Sequence, residues 1–263
     1  AQPLYTTHDA ERCLSHLKRV SQGEVLELGD DVRVRFTRAG HILGASSVHI
    51  EHGGKSVLFS GDLGRDDDLV MYPPETGQKA GWVVVESTYG DRQHPATDAI
   101  DKLGDIIRRT AARGGVVLIP AFAVGRSQGL MYALYRLKQA RAIPDLPIVL
   151  DSPMAISATE AYVRHPEDHR LTPEEVQGMR DMTRFVRTVD ESKALLRQRY
   201  PMVIIAGSGM VTGGRILHHL AYYGQHSRNT VVLSGFQAGG TRGASLAAGA
   251  TSLKMFGEYV PIR

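Results

Sequence analysis

Only one cysteine, Cys13, stands among the 263 residues. A lone thiol excludes an intramolecular disulfide and fits a reducing cytosol, so a cytoplasmic protein is expected. Cys13 falls on an amphipathic stretch and reads as a packing residue. No apolar run approaches the roughly 20 residues that cross a bilayer, and no membrane partner is expected. The start, AQPLYTTHDA, lacks the basic and apolar regions of a signal peptide. It also lacks an initiator methionine, which reads as a fragment. There is no HxH pair, no helical HxxxH pair, and no further His/Asp cluster at metal-ligand spacing. A P-loop is absent, and no GxGxxG fingerprint opens a βαβ unit, which disfavours a nucleotide cofactor.

What is present is ordinary for a soluble globular protein: 42% hydrophobic and 22% charged residues. The net charge of +3 is unevenly spread. Residues 1–94 carry 10 Lys and Arg against 14 Asp and Glu, and residues 95–263 carry 21 against 14. The second part therefore attracts polyanions, although basic side chains spread over solvated helix faces give the same count.

Periodicity divides the chain at the same place. A short helix is predicted over Asp9–Val20, capped by Thr6 or Thr7. EVLEL, VRVRFTRA, SSVHIEH and KSVLFSGD then alternate with the period of half-buried strands, and Gly53-Gly54 suits a tight hairpin between the last two. WVVVE follows as a buried strand ending at Glu86. Beyond Pro95, helical segments alternate with the short apolar runs VVLIPA, PIVLD, MVIIAGSG and TVVLSG. Runs apolar on both faces indicate a parallel sheet covered by helices on two sides. LTPEEV marks a helix start, with Thr172 as cap, Pro173 at the first position and Glu175 completing a capping box. The closing LKMFGEYVPIR reads as a strand cut short.

Chemistry is suggested at a few points. His41, in GHILGASSVHI, and Asp62, in SGDLG, sit at successive strand ends and are both good zinc ligands, yet a catalytic zinc needs about three protein ligands. Glu86, at the end of its strand, needs hydrogen-bond partners and could orient a ligand or cap backbone amides. Three glycine-containing turns follow strands in the second part: IPAFAVGRSQG, AGSGMVTGGRILHHL and LSGFQAGGTRG. The first two carry Arg126 and Arg215 near a helix start and the third carries Arg242. Glycine turns at the carboxyl ends of strands, with helix-start amides and arginines, suit a phosphate or a nucleic-acid backbone.

In their order, GHILGA, SGDLG, ESTYGDR, PAFAVGRSQ, DSPMA, GSGMVTGGR and SGFQAGGTRG resemble the β-CASP group of metallo-β-lactamase-fold nucleases, over nearly the whole chain. The resemblance implies an α/β protein: a partial metallo-β-lactamase β-sandwich in residues 1–94, a β-CASP domain with a helix-flanked parallel sheet in 95–238, and a return to the first domain in 239–263. It implies an RNA-processing phosphodiesterase with two Zn2+, in which His41 and Asp62 are metal ligands and Glu86 supports them. Arg126, Ser127, Gln128, Ser208, Gly213, Gly214, Arg215 and Thr241 would contact single-stranded RNA. Gly129 departs from the group, which often has an acidic residue there. The group's HxHxDH motif and its later histidine motifs are absent from this sequence, so an inactive core fragment is expected. A homodimer is compatible with the pattern. The alternatives are a non-catalytic nucleic-acid-binding module and a DNA-directed nuclease of the same superfamily.

Overall fold

Alternating residues build the first sheet, and continuous apolar runs build the second. The computed structural model describes residues 3–93 and 98–263. The chain forms two units, Ala1–Asp66 with Pro73–Gly90, and Asp67–Tyr72 with Asp91–Arg263. The boundary expected at 94/95 lies outside the described residues.

The first unit holds helix α1 (Thr7–Leu14) and strands β1 (Val25–Glu27), β2 (Arg33–Arg38), β3 (Ser46–His52), β4 (Lys55–Phe59) and β5 (Trp82–Val84). They form one sheet in chain order, antiparallel except for the parallel β4–β5 pair. Gly53 and Gly54 both take positive φ, 53° and 72°, as the tight β3–β4 hairpin requires. Two expectations are corrected here. Helix α1 stops at Leu14 instead of Val20, and none of its residues is buried, so no packed face prolongs it and Cys13 is exposed. The WVVVE strand is not buried: Trp82 to Val85 are each more than half exposed. β5 is an edge strand paired only with β4, so its apolar side chains lack a covering layer among the described residues. Among the described residues, the buried apolar side chains of this unit are Val34 and Ala39.

The second unit contains β6 (Val117–Pro120), β7 (Ile148–Asp151), β8 (Thr183–Phe185), β9 (Val203–Ala206) and β10 (Thr230–Val231). All pair in parallel in the order β10-β6-β9-β7-β8. Every residue of β6, β7 and β9 is buried, as runs apolar on both faces demand. The helices are α2 (Ala99–Ala112), α3 (Arg126–Gln139), α4 (Pro153–Arg164), α5 (Pro173–Asp181), α6 (Val189–Leu195), α7 (Ile216–Tyr223) and α8 (Arg242–Ala247). Leu118, Ile204, Ile216, Leu220, Leu253 and Met255 share one core cluster. The last two come from a hairpin of β11 (Ser252–Met255) and β12 (Glu258–Pro261), turned at Phe256 and Gly257 with positive φ. The closing segment pairs as a hairpin. Residues 239–263, placed by the sequence reading with the first domain, fold with this unit because Leu253 and Met255 fill its core.

Helix α5 starts as its sequence predicts: Thr172 Oγ1 accepts from the Glu175 amide and the Glu175 carboxylate accepts from the Thr172 amide. The same Thr-x-x-acid pattern caps α1 through Thr6 and Asp9 and α6 through Thr188 and Glu191. Thr172→Ala is expected to lower stability by about 1 kcal/mol, the usual value of such a cap, measured as a shift in the denaturation midpoint of the second unit.

Candidate functional site

In the first unit, two loops meet because a glycine lets them. An antiparallel bridge joins Gly40 to Leu63, and the Gly64 amide donates to the Ala39 carbonyl at 2.8 Å. The next pair in that register is His41 and Asp62. A side chain at Gly64 would put its Cβ 2.0 Å from the Gly40 carbonyl oxygen. Thus the second glycine of SGDLG allows the approach that sets the histidine beside the aspartate. Both side chains are exposed.

Buried Ser60 ties in Glu86. Its hydroxyl accepts from the Glu86 amide at 3.0 Å and donates to the Gly61 carbonyl at 2.7 Å. The Glu86 carboxylate takes the Thr88 amide at 2.9 Å. Hydrogen bonds from Thr88 lower its pKa most; burial opposes them, and the Leu63 amide and nearby His41 add smaller lowering contributions. Glu86 is therefore held as an anion near His41 and Leu63. Imidazole and carboxylate donors suit a divalent transition metal. His41 and Asp62 fit as part of a ligand set, two donors against the three that a catalytic site needs.

Among the described residues, the one group bringing three metal-capable side chains together lies elsewhere, at His165, Glu167 and Asp168. The sequence reading missed it, although HPED carries these residues within one turn. His165 and Glu167 are exposed and 3.2 Å apart. His169, the other end of an HxxxH spacing, is turned away: its ring bonds the buried Tyr162 carbonyl and the Leu171 amide.

In the second unit, all five strands run in parallel, so the turns after β6, β7, β9 and β10 emerge at one edge. Here the residues expected to contact RNA divide into two classes. Ser127 and Gln128 are 2% and 0% exposed. Ser127 donates its hydroxyl to the Phe122 carbonyl at 2.7 Å. Gln128 accepts from the Gly125 amide at 2.8 Å and donates to the carbonyls of Ala123 and Ala155 and to Thr159 Oγ1. Both hold the 122–126 turn from beneath. Ser208 Oγ accepts the amides of Thr212 and Gly213 and closes its own loop. Gly214 takes φ 75°, and a Cβ there would lie 2.4 Å from the Gly207 carbonyl oxygen. Thr241 caps α8. Arg242 donates to the carbonyls of Lys254 and Thr212.

Arg215 also points inward. Its guanidinium donates to Asp151 Oδ1 at 2.5 Å and to the carbonyls of Val186 and Arg187 at 3.1 Å. Asp151 is fully buried, and its other oxygen takes Ser192 Oγ at 2.5 Å and His219 Nε2 at 2.7 Å. Burial raises the Asp151 pKa, but the bonds from His219, Ser192 and Arg215 outweigh it and hold the carboxyl below the ordinary 3.8. The motif DSPMA alone does not reveal this role of Asp151; its position at the end of an otherwise apolar strand is the signal. Of the expected phosphate contacts, Arg126 alone is an exposed cation making no hydrogen bond or ion pair with the described residues.

Two outcomes follow from this geometry. Arg215→Ala strands a buried carboxylate and is expected to cost about 3–5 kcal/mol, read by chemical denaturation. A depressed folded-state pKa adds stability that is complete above the unfolded value and lost as pH falls through the folded one. Stability of the second unit therefore drops as pH falls below about 4, and Asp151→Asn flattens that part of the acid limb. In the first unit, Gly64→Ala forces Gly40 and Leu63 apart and is expected to abolish any metal affinity that depends on His41 and Asp62, as read by metal titration.

Comparison with known proteins agrees with the motif order. Residues 127–246 match the Beta-Casp domain family. The chain is 38% identical to a Thermus thermophilus protein named as a ribonuclease, over all of this chain and 62% of that protein. It is 29% identical to an RNase J-like protein of Methanocaldococcus jannaschii, over 98% of this chain and 62% of the relative. It is 31% identical to the transcription termination factor FttA of Methanosarcina mazei, over 97% and 42%. The chain thus spans less than two thirds of the length of these relatives. The Beta-Casp match over residues 127–246 and these similarities support a chain of the β-CASP type with the metallo-β-lactamase fold.

Proposed function

We propose that this chain is the RNA-binding and partial metal-binding core of a zinc-dependent ribonuclease. The observation that carries the reading is the juxtaposition of His41 and Asp62 across the Gly40–Leu63 bridge, with the Glu86 anion beside them. Relatives named as a ribonuclease and as RNase J-like support RNA as the substrate. His41 and Asp62 would supply an imidazole and a carboxylate to zinc, with the Glu86 anion close by to support them. Bound zinc supplies Lewis-acid polarisation of the scissile phosphate and activation of the attacking water. The basic second unit would hold the RNA backbone with little sequence preference. The chain's lone cysteine, the exposed Cys13, suits the reducing cytoplasm, and no helix among the described residues is long and apolar enough to cross a membrane.

Among the described residues these two ligands fall short of a catalytic set, so the chain is expected to bind zinc weakly and to leave RNA intact. Zinc titration by calorimetry, with His41→Ala and Asp62→Ala as controls, tests the first point. Weak binding that both substitutions remove supports the site; binding unchanged in both overturns it. Labelled single-stranded RNA incubated with the chain and zinc tests the second, and cleavage lost in His41→Ala would overturn the expected inactivity. An excess of single-stranded DNA should compete poorly for the RNA-binding surface; equal competition favours a DNA-directed relative.

A further inference from the structure

The turn after β6 is built to display an aromatic ring. Its inner residues are fixed: Ser127 grips the Phe122 carbonyl through both its hydroxyl and its amide, at 2.7 and 3.2 Å, and Gln128 pins Ala123 and Gly125. The residues left outside are Phe122, Val124 and Arg126. Phe122 remains 45% exposed, an unusual state for a phenylalanine whose backbone is so firmly held. One part of its ring lies against Gly209 of the loop after β9, where a Cβ would come within 2.7 Å of ring carbon Cδ2. Only glycine permits that seat.

The surface continues on both sides. Gln237 donates to the carbonyls of Gly209 and Gly235, both at 3.1 Å, and so links the loops after β9 and β10. Arg126, four residues beyond Phe122 at the start of α3, lies along Gly235, its Nε 3.9 Å from where a Cβ would stand. The result is an aromatic face and an exposed guanidinium, unpaired among the described residues, on glycine-lined backbone at the carboxyl edge of a parallel sheet. Single-stranded nucleic acids are bound by this combination: aromatic rings stack on unpaired bases and arginine contacts the backbone.

We propose that Phe122, seated on Gly209 and flanked by Arg126, is a stacking platform for one unpaired base of a single-stranded nucleic acid; this rests on the RNA-binding reading above. Phe122 and Gly209 thereby acquire a role distinct from phosphate contact. Stacking adds base-dependent and nearly salt-independent affinity, and Arg126 adds the salt-dependent part.

The test compares binding of the 263-residue chain to a uniform single-stranded RNA and to the same backbone carrying abasic sites, across a salt series. Phe122→Ala and Phe122→Leu should each weaken binding to the intact RNA about tenfold, with the salt slope unchanged, and Phe122→Trp should retain it. On the abasic backbone, the Phe122 variants should match the parent chain. Arg126→Ala should lower the salt slope by about one on both backbones. Melting curves confirm that each variant is folded, and Leu keeps the apolar contact with Gly209 while removing the aromatic face. Equal affinity of parent, Leu and Ala variants for the intact RNA overturns the platform and leaves RNA binding standing, marking the ring as a protein-contact surface. Failure of the parent chain to bind RNA overturns both readings together.

Discussion

The second unit is organised around one desolvated carboxylate. Asp151 ends a strand with no exposed atom, and its charge is tolerable only because three donors converge on it. Those donors come from three places: Ser192 on α6, His219 on α7 and Arg215 at the end of the glycine loop after β9. One buried charge therefore fixes the relative position of a strand, two helices and a loop. Arg215 also binds the carbonyls where β8 ends, so the β7–β8 side of the sheet is tied to the same point. The glycine loop, and Gly209 within it, inherit their placement from this cluster.

This arrangement separates two kinds of residue that a motif presents together. GRSQ and GGR look like phosphate grips in one dimension. In three, Ser127, Gln128 and Arg215 are the inner supports of their turns, and Phe122 and Arg126 are what the turns display. A glycine-rich turn at a strand end needs such supports because its own backbone is not rigid. Polar residues adjacent to glycine in sequence are the ones close enough to provide them.

The second sheet was legible in the sequence because β6, β7 and β9 are short, nearly all-apolar runs, buried throughout and spaced by amphipathic helices. The Thr172 cap was legible because its partners are three residues apart. The β8 strand was not read, since Thr-Arg-Phe is too short to show a period. β5 was misread for the reverse reason: Trp-Val-Val-Val-Glu has the composition of a central strand but lies at an edge. His41 and Asp62 could be named as a pair, but their meeting depends on Gly64 passing the Gly40 carbonyl. Arg215 was assigned outward because its partner, Asp151, is 64 residues away in sequence.

The scarcity of buried apolar side chains beneath the first sheet has a thermodynamic consequence. With Val34 and Ala39 as its buried apolar side chains, that sheet sits at the low end of local stability, and its opening needs little free energy compared with the β6–β7–β9 core. His41 and Asp62 ride on it. Any ion they hold must bind the closed form, so its apparent affinity is scaled by the fraction of time the sheet is formed, and its binding in turn stabilises the sheet. Ligand affinity and order of the first unit are then one linked equilibrium: whatever covers the exposed apolar strand Trp82–Val84 also tightens the grip of the loops that leave this sheet beside it.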